Sequence, residues 1–291
     1  MCTYNPKIQN ELVVRGVSYE IISAAKVNAI VTEIASPALN YDIMKLEKYP
    51  RIAVYSPKSK LPWDDAVTLV LTYAEIPYDV IYDDEVLDGK LSLYDWLHVH
   101  HEDFTGQYGK FYSNFAQAAW YQAEVKESEA MAAKHGFSKV SELKLAVAKK
   151  IRDYVLGGGF MFAMCSATDS FDIALSAEGV DICEPMFDGD PSEGNYQARI
   201  DYSKSFAFKD FILDRKPEHY EFSSIDMTEK RQLPMEKDYF TLMEFSAKWD
   251  VIPTMLCQNH TQLVKGFMGQ TTAFTRDQIK SNVLVLGENA I

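Results

Sequence analysis

The 291 residues are 47% hydrophobic and 13% aromatic, enough to bury a sizeable core in one large domain or two small ones and too apolar for a disordered chain. Acidic side chains outnumber basic ones, 42 to 29, for a net charge of −13; such a chain repels phosphate backbones and anionic lipid, so neither nucleic acid nor a membrane is an expected partner. The four cysteines, Cys2, Cys165, Cys183 and Cys257, form no C-x-x-C pair, which argues against a disulfide framework and a four-cysteine zinc site.

The opening stretch, MCTYNPKIQNELVV, has no apolar run of the signal type. It reads as a connecting segment, so the chain is expected to be a piece of a longer one, with residues 1–50 packing on the core as an N-terminal segment. A cytoplasmic location is the first expectation, and a periplasmic one the alternative if residues precede Met1. Within this stretch VSYEII, from Val17 to Ile22, is a strand candidate. Ala24 to Ile34 carries apolar residues at helical spacing, and Pro37 ends it.

A clearer unit starts at Arg51. RIAVY, Arg51 to Tyr55, reads as a strand. Pro62-Trp63-Asp64-Asp65 opens a helix, with the proline tolerated in its first turn and the acids at the positive end of its dipole. YDVIY, Tyr78 to Tyr82, is a second strand. Strand, helix and strand on short links predict a parallel sheet. EVLDGKLSLY then crosses to DWLHVHH, Asp95 to His101, the third strand. The polar and aromatic stretch over 102–140 is an insertion at a strand end, where a lid or site-building loop belongs. Its second half is helical in composition, and Phe104, Tyr108, Phe111, Tyr112 and Phe115 either pack its core or line a lid.

Ser141 to Leu156 is the strongest helix signal. Ser141 caps it, Leu143, Ala146, Val147, Ile151 and Val155 line its inner face, Lys144 to Arg152 supply a solvated face, and Gly157 takes a left-handed end. Phe160 to Met164 is the next strand, and Ser166 to Ala177 the helix after it, capped by Thr168 and Asp169. Beyond Gly179 the pattern weakens to strand-like pieces: RIDYS, SFAF, FILD, Tyr239 to Phe245 pairing with Val251 to Cys257, Val264 to Phe274, and Val283 to Leu286. The sum is an α/β fold over 51–291: an open, mostly parallel sheet with flanking helices and β-rich C-terminal additions. Ligands in such folds bind at the carboxyl ends of strands, and HVHHED and MCSAT both lie there.

In GGGFMFAMCSATDSFDIAL, Cys165 ends a strand and precedes a helix. A nucleophile elbow needs small residues two places either side, because the turn brings backbone and side chains close; Ala163 and Ala167 meet that need. Such a turn sets the thiol at a helix N-terminus, which favours thiolate, and aims the Ser166 N–H where an oxyanion forms. A buried structural cysteine is the alternative. In HVHHED, His98 and His100 alternate along the strand and share one face, while His101 takes the other. H-x-H with a nearby acid can hold zinc or iron, so His98, His100 and Glu102 form a metal alternative, although no further cluster completes the site.

The helix ending in glycines, the apolar strand, the elbow cysteine and the following helix resemble the class I glutamine amidotransferase-like superfamily, whose members share a flavodoxin-like sheet. Its Gly-x-Cys-x-Gly turn has alanines here, at 163 and 167. RIAVYSPKSKLPWDDAVTLVLTYAEIPYDVIYDDEVL, LYDWLHVHHEDFTGQYGKFY, GGGFMFAMCSATDSFDIAL and VKGFMGQTTAF are similar to a group common in Bacteroidetes and often labelled asparagine synthetase B. The resemblance covers most of the chain from Arg51 onward. It implies Cys165 as the nucleophile, a loop with His100, His101 and Gly106 that shapes an oxyanion pocket with Ser166, and Glu102 hydrogen-bonded to the thiol. The superfamily's base is a histidine in a His-x-Glu pair after a late strand. His219 and His260 are the histidines that follow Cys165. His260, after IPTMLC, is the candidate, although Thr261-Gln262 supplies no acid.

Synthetase activity is not expected. Cys2 lacks the glycine that normally follows an N-terminal amidotransferase cysteine, no Ser-Gly-Gly phosphate loop occurs, and Gly157-Gly158-Gly159 precedes a strand rather than a helix. Three functions stand open: a cysteine-dependent amide hydrolase or amidotransferase, a catalytically inactive small-molecule-binding or assembly module, and a metal-dependent hydrolase. The expected partner is a small amide or related acyl compound, with a homo-oligomer left open and no cofactor.

Overall fold

The structure is a computed structural model and describes residues 6–14, 16–34, 36, 50–57, 66–219, 221–226, 239–241, 263–265 and 275–280. The regular elements are α1 (Pro6–Val14), α2 (Ala24–Ile34), β1 (Ile52–Tyr55), α3 (Ala66–Tyr73), β2 (Asp79–Ile81), α4 (Asp83–Leu87), β3 (Trp96–Val99), α5 (Tyr112–Phe115), α6 (Ala119–Lys134), α7 (Val140–Leu156), β4 (Phe160–Ala163), α8 (Ser166–Ser176), α9 (Pro185–Asp188), α10 (Tyr196–Arg199), β5 (Tyr239–Thr241) and β6 (Leu263–Lys265). They fall into two units: Met1–Tyr49 with Leu233–Gln270 and Asn289–Ile291, and Pro50–Gln232 with Thr271–Glu288.

In the second unit β1 to β4 form an all-parallel sheet in the order β2-β1-β3-β4. The open parallel α/β sheet read from the sequence is therefore present. Its alternation follows the two-residue period of a strand. Ala53, Tyr55, Leu97 and Val99 face a core that receives Val147, Ala148 and Ile151 from α7 and Ala167, Phe171 and Leu175 from α8. Ile52 and Val54 face the other way and pack on Leu71 of α3. Each fully buried aliphatic of this kind contributes about 1.5–3 kcal/mol.

Part of the insertion packs into the core. Phe104 stacks on Tyr55 with ring centroids 5.5 Å apart, and meets Phe171 edge-on at 5.4 Å. Tyr108 is buried against Tyr121. The segment after α8 is tied down by Asp172, whose carboxylate accepts the backbone N–H groups of Phe206, Ala207 and Phe208 at 2.7, 2.7 and 2.9 Å.

Several local expectations are corrected. Val17 to Ile22 forms no strand: Gly16, at φ 65°, turns the chain out of α1, and Val17 N–H closes onto the Leu12 carbonyl at 2.8 Å. Lys139, not Ser141, caps α7, because the Glu142 carboxylate reaches back to the N–H groups of Ser138 and Lys139 at 3.0 and 3.2 Å. Gly158, at φ 99°, rather than Gly157 takes the left-handed position after α7. β3 stops at Val99, so His100 and His101 lie in the loop beyond it. SFAF and FILD supply only isolated bridges, Phe208 to Ile279 and Leu213 to Ser223, and RIDYS holds a short 3-10 turn.

In the first unit, α1 and α2 are separate helices and β5 pairs antiparallel with β6, Tyr239 opposite Lys265. The strand expected at Val251 to Cys257 lies outside the described residues, as do Pro62-Trp63-Asp64-Asp65 and Val283 to Leu286. Among the described residues no helix is long and apolar enough to cross a membrane.

Candidate functional site

The loop after β3 and the helix after β4 are laced together. The register sets Val99 opposite Ala163. Met164 N–H then donates to the Val99 carbonyl at 2.9 Å and Ala167 N–H to the His100 carbonyl at 3.3 Å. Ser166 Oγ donates to the His101 carbonyl at 2.9 Å, and Ser170 Oγ to the Glu102 carbonyl at 3.1 Å. The parallel sheet thus brings HVHHED and MCSAT to one place at the strand ends.

Cys165 sits in the middle of this lacing, as the residue that caps α8. Its backbone is at φ 52° and ψ −141°, a conformation rarely open to a residue with a Cβ. Thr168 and Asp169, expected as caps, are inside the helix instead, and Thr168 N–H donates to the Cys165 carbonyl at 3.0 Å. The Cys165 thiol is exposed, whereas Cys183 is buried and donates its S–H to the Thr105 carbonyl. Burial pushes the Cys183 thiol well up, so it is held as a neutral thiol. As the first residue of α8, Ser166 has no intrahelical acceptor for its N–H.

His100 and His101 are half-buried and joined, Nδ1 to Nδ1, at 3.0 Å. His98 is buried, stacks on Phe162 at 5.6 Å, and has its ring 6.3 Å from that of His100. The acid and thiol group at ligand spacing among the described residues is Asp181, Cys183 and Asp188, not His98, His100 and Glu102. The Lys139 ammonium already occupies that group, 2.6 Å from Asp181 and 3.0 Å from Asp188.

Glu102 is buried, as part of a polar cluster the sequence reading missed. Lys144 of α7, expected on a solvated face, is buried with its ammonium 3.0 Å from the hydroxyls of Tyr55 and Tyr82 and 2.9 Å from Asp83 Oδ2. Tyr55 also donates to Asp83. Burial works against the Lys144 charge, but Asp83, the two tyrosines and Glu102 outweigh it and hold the ammonium well above its ordinary range. The signal was present: Val140, Leu143, Val147 and Ile151 mark the inner stripe of α7, and Lys144 falls inside it.

Asp169 is a second buried acid beside the elbow. Burial, then the charges of Asp226 and Asp103, push its carboxyl well up. Gly106, at φ 84°, does permit close approach, but to Ser141: a Cβ there would stand 2.8 Å from the Ser141 Cα. His219 pairs with Asp214 at 2.5 Å. His260 lies outside the described residues. A cleft of about 660 Å³ lies at the other end of the sheet, between Asp95, Tyr154 and Gly157 to Gly159, and a pocket of about 200 Å³ lies between α7 and Gly179 to Ile182. Neither is lined by Cys165.

Compared with protein families, curated proteins and solved structures, the chain matches none.

Proposed function

We propose that the chain is a cysteine-dependent amide hydrolase or amidotransferase-like enzyme with Cys165 as its nucleophile and a small amide or related acyl compound as its substrate. One observation carries the reading: an exposed cysteine held at φ 52° where a parallel strand meets a helix N-terminus. Strain of this kind costs about 1–3 kcal/mol and persists where the surroundings impose it, as they do at functional sites. The turn presents the sulfur outward and leaves the Ser166 amide beside it as an oxyanion donor. A carbonyl carbon attacked by the thiolate would lose its amine and leave a thioester for water or a second amine to resolve.

The absence of Cys165 from the lining of either cleft favours a second reading, in which the fold serves as a small-molecule-binding or assembly module. Both readings take a small-molecule partner rather than nucleic acid or membrane. Synthetase chemistry is not part of either, since Gly157 to Gly159 join α7 to β4 and present no helix N-terminus to a phosphate. A screen of primary amides for ammonia release separates them. The enzyme reading expects turnover that Cys165→Ser abolishes; binding without turnover supports the module, and turnover that survives the substitution overturns both readings.

A further inference from the structure

We infer that Asp181, Cys183 and Asp188 are the ligands of a divalent, zinc-type cation, and that the Lys139 ammonium holds the metal's place until the metal displaces it. Cys165 takes no part in this site.

The donors come from one short run, DICEPMFDGD, Asp181 to Asp190. Their ligand atoms, two carboxylate oxygens and the Cys183 sulfur, all lie within 4.8 Å of one another. Zinc bonds are about 2.0–2.3 Å long, so one ion reaches only atoms grouped this closely. Hydrogen bonds hold the donors from behind. The Cys183 N–H donates to Asp181 Oδ1 at 3.0 Å, and the Asp190 N–H to Asp188 Oδ1 at 3.4 Å. Gly189, at φ 91°, turns the chain between Asp188 and Asp190, and both carboxylates reach the same ammonium.

This group differs from an ordinary acidic surface in two ways. The Asp188 side chain is only 7% exposed, and its Oδ2 is buried and accepts no hydrogen bond among the described residues. Lys139 Nζ stands 3.0 Å from that oxygen but gives its hydrogen bonds to Asp181 Oδ2 at 2.6 Å and Asp190 Oδ1 at 2.5 Å. The second difference is charge. The carboxylates of Asp181, Asp188 and Asp190 converge on a single ammonium, so a monovalent cation leaves negative charge unbalanced. Burial makes that imbalance costly, and a divalent ion relieves it.

The donor set selects the metal. A thiolate beside carboxylates suits zinc or cobalt, which take sulfur and oxygen together, over magnesium or calcium, which take oxygen. The Asp190 side chain, 54% exposed, opens the group to solvent on one side, while fully buried Cys183 closes the other. On binding, the Cys183 S–H, given in the metal-free chain to the Thr105 carbonyl, loses its proton to solvent, and the ammonium withdraws as the metal forms its bonds to sulfur and oxygen. Asp190 or a water completes four-coordination.

The test adds cobalt chloride to the metal-free wild-type chain and follows the sulfur-to-cobalt charge-transfer absorption, with zinc chloride as competitor and folding checked by circular dichroism. The expected band saturates at one cobalt per chain, is abolished by zinc, is kept in Cys165→Ser and is lost in Cys183→Ser. No band in the wild type, or a band that survives Cys183→Ser, overturns the site. Thermal melting gives a readout that needs no variant: zinc should raise the wild-type melting temperature and a chelator return it, and an unmoved melting temperature also overturns the site. Lys139→Met tests the displacement. It should bind cobalt at least about tenfold more tightly, since a like charge close to the metal is removed. A folded Lys139→Met with wild-type affinity overturns the place-holding role of the lysine.

Discussion

The Ala167 amide donates to the His100 carbonyl at 3.3 Å, so the loop that carries the histidines and the turn that carries Cys165 are held as one structure. The bond also commits the first turn of α8 to a fixed position relative to β3. A cysteine at φ 52° is tolerated there because its neighbours on both sides are already tied.

Glycine should relax that turn. Cys165→Gly removes the Cβ that makes the conformation costly, a gain of about 1–3 kcal/mol, against about 0.5–1 kcal/mol of added chain entropy. Cys165→Ala keeps the Cβ and should gain nothing. Urea unfolding should therefore rank the glycine variant as the more stable of the two by about 1 kcal/mol, with amide turnover absent from both. A glycine variant less stable than the alanine variant by about 0.5–1 kcal/mol, the chain-entropy cost alone, would show that the backbone is not strained there.

The cage around Lys144 should be strongly dependent on its partners. Lys144→Met leaves the Asp83 carboxylate buried beside two hydroxyls without its cation, and removing one member of such a pair costs about 3–5 kcal/mol. Lys144→Met with Asp83→Leu should cost much less than the sum of the two single changes. Chemical denaturation of the four proteins measures this directly, and additive costs would show that the two side chains do not interact.

Asp169 gives stability a downward slope with pH. Its carboxyl is raised by burial, so the folded chain holds a proton that the unfolded chain releases near an ordinary aspartate pKa of 3.8. The contribution is complete below that pH and is lost as pH rises toward the folded-state value. Asp169→Asn, neutral at every pH, should lack this slope and melt at or above the wild type at pH 8. A wild-type melting temperature that runs parallel to the variant from pH 4 to 8 would contradict the burial argument.

Gly106→Ala should destabilise the insertion without touching the cysteine. A Cβ there would meet the Ser141 backbone at 2.8 Å, at a φ of 84°. Overpacking of this kind costs about 1–3 kcal/mol, and the unfavourable φ adds to it. The readout is the unfolding midpoint, alongside an unchanged alkylation rate for Cys165 in the folded protein.

The sequence made the sheet legible because β1, β2, β3 and β4 are short apolar runs separated by helices, and α2 because its apolar spacing is regular. The elbow was legible for the same reason: Ala163 and Ala167 flank the cysteine between a strand and a helix. Tertiary partners decided what remained. Lys144 reads as a solvated lysine until Asp83, 61 residues earlier, is placed against it. Asp169 reads as a cap until Cys165 takes that position. The three histidines read as alternating faces of a strand, but only His98 lies in β3, which ends at Val99, and the loop beyond turns the rings of His100 and His101 onto each other. Gly106 announced a close approach without saying to what.

The most direct measurement is the alkylation rate of each cysteine against pH in the native chain, read by mass spectrometry. The account predicts that at pH 7 Cys165 reacts at least tenfold faster in the folded chain than after unfolding, while buried Cys183 reacts only after unfolding. A Cys165 that reacts no faster than a free thiol at any pH, despite its exposure, would contradict the claim that this elbow holds a nucleophile.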